Sequence, residues 1–209
     1  MPAGAVEERP ASARDGQQTD LYRLFAVLLA PPSRACFDFL SQAAAASAFG
    51  DLWKALGCEG DFPGFEWFSS YEQYESAYIA LFDVGLPEPP VPLFESAHDK
   101  SRPAQEIALE NTYFHEVLGL RSDPARAVPD YLVTQLEFLA ALRYTRENAA
   151  DEATAAALGR AEAEFLERHM LNWVPAAQSK LHRTGAPGFP LLMTLLRQFL
   201  DQRYNDLRR

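Results

Sequence analysis

Apolar residues recur at every third or fourth position along most of the chain, which is the spacing of one face of an α-helix. The first stripe can be capped by Thr19 or Asp20 and is ended by Pro31-Pro32. Its apolar members are Leu21, Leu24, Phe25, Leu28 and Leu29. Stretches that alternate apolar and polar residues are almost absent, so the pattern predicts an all-α protein without strands.

Breaks in this pattern divide the chain into further helices. In the first half, helices are expected to begin at Ser33 and at Ser69 or Ser70, with a short helix between Gly50 and Gly57. In the second half, the predicted helices cover residues 104–118, 129–146, 151–170 or beyond, and 187–204. We therefore expect one globular domain of about eight or nine helices, packed as a bundle.

Two segments do not follow the helical pattern. Residues 1–18 have no apolar periodicity, so we expect a flexible N-terminal tail in front of a helical domain that spans residues 19–209. Residues 84–103 contain five prolines, which exclude a regular helix or a central strand. They predict a long, extended, proline-rich crossing, and loops of this length in compact domains are usually functional.

The charge of the chain is concentrated near this crossing. The 209 residues carry 29 acids and 19 bases, for a net charge of −10. Residues 59–116 hold twelve of the acids but only Lys100 and Arg102 as bases, so they account for the whole excess. Such a chain repels nucleic acid and anionic lipid. The acidic stretch is either a solvated face or an electrostatic binding site for a basic peptide.

The two cysteines and the N-terminus indicate where the protein resides. Cys36 and Cys58 form no CxxC pair and have no neighbouring ligand residues, which is typical of a reduced protein rather than a disulfide scaffold. No signal-peptide core and no run of about 18 apolar residues occurs. The sequence therefore predicts a cytoplasmic protein.

No catalytic motif stands out. The four histidines lie outside HExxH, and no GxSxG, GxGxxG or P-loop pattern occurs. Only Glu95 and His98 have the Glu-x-x-His spacing of carboxylate metal bundles, and one such pair is a weak signal. We expect no enzyme activity and no stably bound cofactor or metal. The alternatives are a small helical enzyme or metal carrier that uses Glu and His side chains, and a helical adaptor for another partner.

Three segments contain residues that simple apolar packing does not account for. The first is Val91-Pro92-Leu93-Phe94-Glu95-Ser96 in the crossing, where Pro92 keeps the backbone extended and Ser96 can cap the element after it. This segment is either a packed loop anchor or a ligand contact.

The second segment opens the helix predicted over residues 129–146. Asp130 can cap this helix or point into a groove, and Glu137, two turns later, is expected on the same side. A core stripe is predicted from Leu132, Leu136 and Leu139.

The third segment places Phe165, His169 and Trp173 on one helical face. A histidine between two aromatic residues, with no second ligand nearby, is expected to be a hydrogen-bonded core residue. Trp173 is expected at the edge of the core, with its indole N–H reaching a partner group.

Taken in order, these segments resemble the TorD/DmsD/NarJ family of redox-enzyme maturation chaperones. The matching pieces are Tyr78-Ile79-Ala80-Leu81-Phe82, Phe94-Glu95-Ser96, Pro129-Asp130, Leu136-Glu137-Phe138-Leu139, and Phe165 to His169 with Trp173. The Leu-Phe-Glu-Ser form is similar to chaperones of nitrate-reductase-like, type II dimethyl-sulfoxide-reductase-family enzymes. In one departure, Asp130-Tyr131 stands where the family usually carries Asp-His, and tyrosine cannot become cationic near neutral pH.

The resemblance implies a TorD-like helical bundle and a non-enzymatic chaperone. Such a protein binds the apo catalytic subunit of a molybdoenzyme, and that client carries the bis-molybdopterin guanine dinucleotide (bis-MGD) molybdenum cofactor. Many members also bind the client's basic N-terminal leader, often a twin-arginine leader. The oligomeric state is either a monomer or a dimer. The partner-binding residues that the resemblance implies are Tyr78, Phe82, Phe94, Glu95, Ser96, Pro129, Asp130, Tyr131, Glu137, His169 and Trp173.

Overall fold

The computed structural model describes residues 11–62, 64–119 and 128–209, with side chains described from Thr19 onward. Over these ranges the chain forms ten α-helices, and its only strand-like pairing is one isolated bridge. The helices are α1 (Ala11–Leu29), α2 (Arg34–Leu40), α3 (Ala43–Ala55), α4 (Tyr71–Tyr78), α5 (Glu95–His98), α6 (Ala104–Val117), α7 (Leu132–Glu147), α8 (Glu152–Phe165), α9 (Val174–Thr184) and α10 (Phe189–Leu207). The all-α prediction is confirmed.

The centre of the fold is the pair formed by α1 and α7, which pack along each other. The predicted α7 stripe is confirmed, since Leu132, Leu136 and Leu139 are fully buried. Helix α8 packs on α7, and α9 packs on α10. Aromatic rings join these layers: Tyr22 of α1 lies edge-on to Phe199 of α10, with ring centroids 4.9 Å apart. None of the helices in the described ranges is both long and apolar enough to cross a membrane.

Helices α4 and α8 each continue into a single π turn, Ile79–Asp83 and Leu166–Met170. In each turn, a backbone N–H bonds to the carbonyl five residues earlier, from Val84 to Ile79 and from Leu171 to Leu166, both at 2.9 Å. Isolated π turns insert one extra residue and occur frequently at functional sites. Here the first π turn leads directly into the proline-rich crossing.

Several predicted helix boundaries are wrong. Helix α1 begins at Ala11 rather than at Thr19 or Asp20. Alanine, arginine and glutamine favour helix without an apolar stripe, so periodicity alone could not detect this start. Residues 1–10 of the predicted tail lie outside the described residues. Gly50 lies inside α3, because burial of Phe49 and Trp53 on that helix outweighs the cost of one glycine, about 1 kcal/mol.

Two short helices were also missed. Helix α5 forms one turn inside the crossing, and α9 is a separate helix after the one predicted to end at residue 170 or beyond. The signals for α9 were in the sequence: Pro175 stands in its first turn, and Gly185 ends it in the left-handed conformation at φ 66°.

A buried ion cluster joins four of these helices. Glu162 of α8 is fully buried and binds Arg203 of α10 through two contacts of 2.7 and 2.9 Å. The Tyr22 hydroxyl of α1 donates to the same carboxylate at 3.2 Å, and Arg143 of α7 lies 3.8 Å from it. Burial, with repulsion from Arg203, lowers the pKa of Arg143 to about 10, so this side chain remains cationic at neutral pH.

We predict that Glu162→Gln destabilises the fold by about 3–5 kcal/mol, because it leaves buried arginines without their counter-charge. Urea unfolding followed by circular dichroism measures this loss. The control is Glu164→Gln on the same helix, whose ion pair with Arg168 is exposed and contributes at most about 1 kcal/mol. Equal stability losses in the two variants would contradict the structural role of Glu162.

Candidate functional site

The proline-rich crossing is held at its centre by the carboxylate of Glu95, which is completely buried. A buried carboxylate is costly unless protein groups replace its water. Asn172 Nδ2 donates to it from 3.4 Å, and four side chains lie closer: Gln135 Nε2 at 2.8 Å, Arg102 at 3.0 Å, Asn111 Nδ2 at 3.1 Å and His169 Nδ1 at 3.1 Å. Glu95 and these four closer residues form one cluster. We call these five residues the Glu95 cluster.

The members of the Glu95 cluster come from five separate parts of the chain. Glu95 lies on α5 and Arg102 in the loop after it, while Asn111 lies on α6 and Gln135 on α7. His169 lies on the π turn after α8. The cluster therefore ties the crossing to three long helices at one point.

His169 lies between two carboxylates. Its Nδ1 atom faces Glu95, and its Nε2 atom lies 3.7 Å from an oxygen of Glu110. The rings of Phe114 and Phe165 flank it, with centroids 5.4 and 5.1 Å away. The expectation of a hydrogen-bonded core histidine is confirmed.

The position of Trp173 in the structure differs from the predicted one. The π turn after α8 ends at Met170, so Trp173 does not share a helical face with His169 but stands at the start of α9. It is fully buried rather than at the edge of the core. Its indole N–H does reach a partner, the backbone carbonyl of His169, at 2.7 Å.

Arg102 and Glu110 form an outer layer of the cluster. Arg102 bonds to Asp99 at 3.1 Å and also to Glu110. Burial alone would lower the pKa of Arg102, but its bonds to Asp99 and Glu110 outweigh that effect and raise the pKa. Glu110 also binds Arg168, so ion pairs connect the buried centre to the surface of the π turn after α8.

A single antiparallel bridge fixes the crossing to the start of α7. Glu95 N–H donates to the Asp130 carbonyl and Leu132 N–H donates to the Leu93 carbonyl, both at 2.9 Å. The Asp130 carboxylate accepts the N–H of Ser96 at 3.1 Å. Asp130 therefore caps α5 from across the bridge, whereas we expected it to cap its own helix or to face a groove.

Ser96 and Glu137 also differ from their predicted roles. Ser96 lies inside α5 and does not cap it. Asp130 is only 4% exposed, whereas Glu137 is exposed, so the two carboxylates do not share one side. The reason is that α7 begins at Leu132, so Asp130 precedes the helix.

One exposed surface borders the bridge. The rings of Phe94 and Tyr131 pack together at 5.2 Å, and the Tyr131 hydroxyl lies 3.1 Å from that of Tyr78. Burial raises the pKa of Tyr131, the hydrogen bond with Tyr78 opposes this effect, and the negative charges of Asp83 and Glu137 add to the rise. Five residues around the bridge have half-buried or exposed side chains, and we call them the bridge surface: Asp83, Phe94, Val128, Tyr131 and Glu137.

The predicted partner-binding residues thus fall into two groups. Those buried in the described structure are Tyr78, Phe82, Glu95, Asp130, His169 and Trp173. Those half-buried or exposed are Phe94, Ser96, Pro129, Tyr131 and Glu137. Sequence reasoning missed Arg102, Asn111 and Gln135. The signal for the last two was a polar residue at a helical core position, since Asn111 follows Ile107 by one turn and Gln135 follows Leu132.

The Glu95–His98 spacing does not build a metal site. His98 Nε2 lies 2.7 Å from the Pro92 carbonyl, and the ring stacks on Trp173 with centroids 5.3 Å apart. Among the residues whose placement is described, no group of three or more His, Cys, Asp or Glu side chains is arranged to hold a metal ion.

These features define an all-helical bundle with a buried carboxylate cluster at its crossing. Residues 43–178 match the family model described as nitrate reductase delta subunit. Because the match covers more than half of the chain, the protein belongs to the nitrate reductase delta subunit family. The predicted resemblance is confirmed.

Three curated proteins are similar to this chain. The perchlorate reductase assembly chaperone protein of Dechloromonas aromatica (strain RCB) is 27% identical over 141 residues, covering 66% of this chain and 63% of that protein. The selenate reductase assembly chaperone protein of Thauera selenatis is 35% identical, covering 56% and 62%. The chlorate reductase assembly chaperone protein of Ideonella dechloratans is 34% identical, covering 54% and 60%. The chain thus spans somewhat less than two thirds of each relative's length.

We predict that Glu95→Ala destabilises the protein by about 3–5 kcal/mol, because Arg102 loses a buried counter-charge and Asn111 and Gln135 lose a buried hydrogen-bond acceptor. The free energy of unfolding in urea measures this effect. Glu137→Ala is the control, since an exposed carboxylate on α7 is expected to change stability by less than about 0.5 kcal/mol. A Glu95 variant as stable as this control would show that the cluster does not hold the crossing.

We predict a pH-dependent contribution from His115, whose pKa is lowered to about 4 by burial and by repulsion from His169. In the unfolded chain a histidine titrates near 6.5. As the pH falls from about 6.5 to about 4, the unfolded state therefore gains a proton that the folded state does not, and stability is lost. Above about 6.5 the contribution is fully present.

The measurement compares the free energy of unfolding of the wild type and of His115→Gln across this pH range. The wild type is expected to lose stability relative to the variant between these two values, and the difference is expected to level off below about 4. Parallel pH profiles would contradict the assignment.

Proposed function

We propose that this chain is a system-specific assembly chaperone, which binds the apo catalytic subunit of a molybdenum-cofactor oxidoreductase in the cytoplasm and assists cofactor insertion before export. The observation that carries this proposal is its family membership together with three relatives that are each named as the assembly chaperone of a reductase. In this proposal the bis-MGD cofactor belongs to the client, and this chain is not an enzyme.

The bridge surface supports client binding. The rings of Phe94 and Tyr131 offer apolar contact area, and Asp83 and Glu137 offer negative charge beside them. A client segment that mixes apolar and basic residues, such as an N-terminal leader, complements this chemistry. The Glu95 cluster lies directly behind the bridge, so the surface is rigid before the client arrives, which lowers the entropic cost of binding.

The Glu95–His169 pair does not favour an enzymatic reading. A carboxylate beside an imidazole is a common acid–base arrangement, but both side chains are fully buried. Their polar atoms are already engaged by Arg102, Asn111 and Gln135 or face Glu110. The pair therefore acts as a structural support beneath the bridge surface.

The test of the proposed function is affinity purification of the tagged full-length chain from its native cytoplasm, followed by mass spectrometry and metal analysis. We expect a molybdoenzyme catalytic subunit without its cofactor to co-purify. The proposal would be contradicted if no such subunit is recovered, or if the chaperone itself carries stoichiometric metal.

We predict that the acids of the bridge surface set the rate of client association. The probe is a labelled peptide with the N-terminal sequence of the co-purified subunit. Because exposed charges are screened over roughly 8 Å at physiological ionic strength, its association rate is expected to fall as salt is raised. A variant carrying Asp83→Lys and Glu137→Lys is expected to associate several-fold more slowly and to lose most of this salt dependence.

The matched control is Asp38→Lys with Asp51→Lys, which makes the same charge change at exposed positions of α2 and α3, outside the acidic stretch. All these variants change exposed residues and are expected to melt like the wild type. Association rates that do not depend on salt, or that fall equally in the control, would leave the acidic stretch as a solvated face.

A further inference from the structure

A second apolar surface lies between α6 and α8. An open groove of about 380 Å³ is lined there by Leu109, Tyr113, Phe114 and Val117 of α6 and by Ala161 of α8. We call it the α6–α8 groove. It shares no residue with the bridge surface, and no residue of it was among the predicted partner-binding residues.

The α6 side of this groove is an exposed apolar stripe. Leu109, Tyr113 and Val117 are 70%, 66% and 61% exposed. Their spacing of four residues places them on one side of α6, over a length of about 12 Å. Single exposed apolar residues are ordinary, but a contiguous stripe beside a groove is typical of an interaction site.

The floor and the wall of the groove are held in place. Phe114 packs edge-on against Phe165, with ring centroids 5.2 Å apart, and is only 9% exposed. Ala161 is small, which leaves room between the two helices. Glu110, on the rim, is bound by both Arg102 and Arg168. The groove is therefore preformed and connected to the Glu95 cluster.

The rim of the groove is acidic. Glu106 and Glu116 are exposed and lie one turn from Leu109 and Tyr113, respectively, on the same side of α6. Glu164 of α8 adds a third carboxylate that is 56% exposed. The cation in the lining, Arg168, already binds Glu110 and Glu164. A second copy of this chain would bring these acids together, so charge favours a basic partner instead.

We propose that the α6–α8 groove is a second docking site, which takes an amphipathic helix with apolar residues three or four positions apart and lysine or arginine beside them. A helix placed between α6 and α8 would bury the stripe in the way that one helix packs on two others. Its identification as a helix of the client rests on the proposed function, whereas the chemistry of the groove does not.

The test uses a fluorescein-labelled peptide of about 15 residues, long enough to form a helix, with leucines at helical spacing and lysines elsewhere. Fluorescence anisotropy measures its binding to the full-length chain at low salt. A counterpart with glutamate in place of lysine, and a scrambled peptide of the same composition, are each expected to bind at least about tenfold more weakly. Equal binding of all three peptides would overturn the proposal.

The variant Leu109→Ser with Tyr113→Ser removes two of the three stripe residues without changing a core residue. We expect it to melt like the wild type and to bind the leucine–lysine peptide at least about tenfold more weakly. The matched control makes the same kind of change at other exposed apolar positions, Leu86→Ser with Tyr144→Ser, and is expected to bind normally.

Two other results would overturn the proposal. If the groove variant binds the peptide normally and the bridge-surface variant does not, the peptide occupies the bridge surface. If sedimentation shows a wild-type dimer that the groove variant dissociates, the groove is an interface between copies of this chain. Neither result depends on which subunit co-purifies, so failure of the proposed function and failure of the groove remain distinguishable.

Discussion

The structure depends on satisfying one buried carboxylate. Glu95 is fully buried, so its carboxylate is stable there only if protein groups take the place of bulk water. The chain meets this constraint within 3.1 Å by an arginine, a histidine and two amides drawn from four further segments. Because each partner must arrive within hydrogen-bond distance, the requirement fixes the relative positions of the crossing, α6, α7 and the π turn after α8.

The same constraint explains why a proline-rich segment with little regular structure can present a defined surface. The crossing is anchored by the Phe94–Tyr131 bridge, by the Asp130 cap on α5 and by the Glu95 cluster behind them. The exposed side chains of the bridge surface are therefore carried on a rigid base. The α6–α8 groove depends on this base as well, because Glu110 links its rim to Arg102.

The acidic residues are stabilised differently in the interior and on the surface. Inside, Glu95 and Glu162 are each paired with arginine, since an unpaired buried charge would be too costly. On the surface, Glu106, Glu116 and Glu137 are exposed, so water can solvate their carboxylates. A stable interior and two acidic, partly apolar surfaces thus coexist in one small bundle.

The sequence by itself determined the all-α class, the α7 stripe, the crossing and the family, because helical periodicity, prolines and ordered motifs are local in the chain. It also pointed to Glu95, Asp130 and His169. Only the tertiary structure decided their roles: Asp130 caps α5 rather than α7, and Glu95 is buried rather than facing a partner. The reason is physical, since burial and hydrogen-bond partners depend on residues such as Arg102, Asn111 and Gln135, which folding brings together from distant positions.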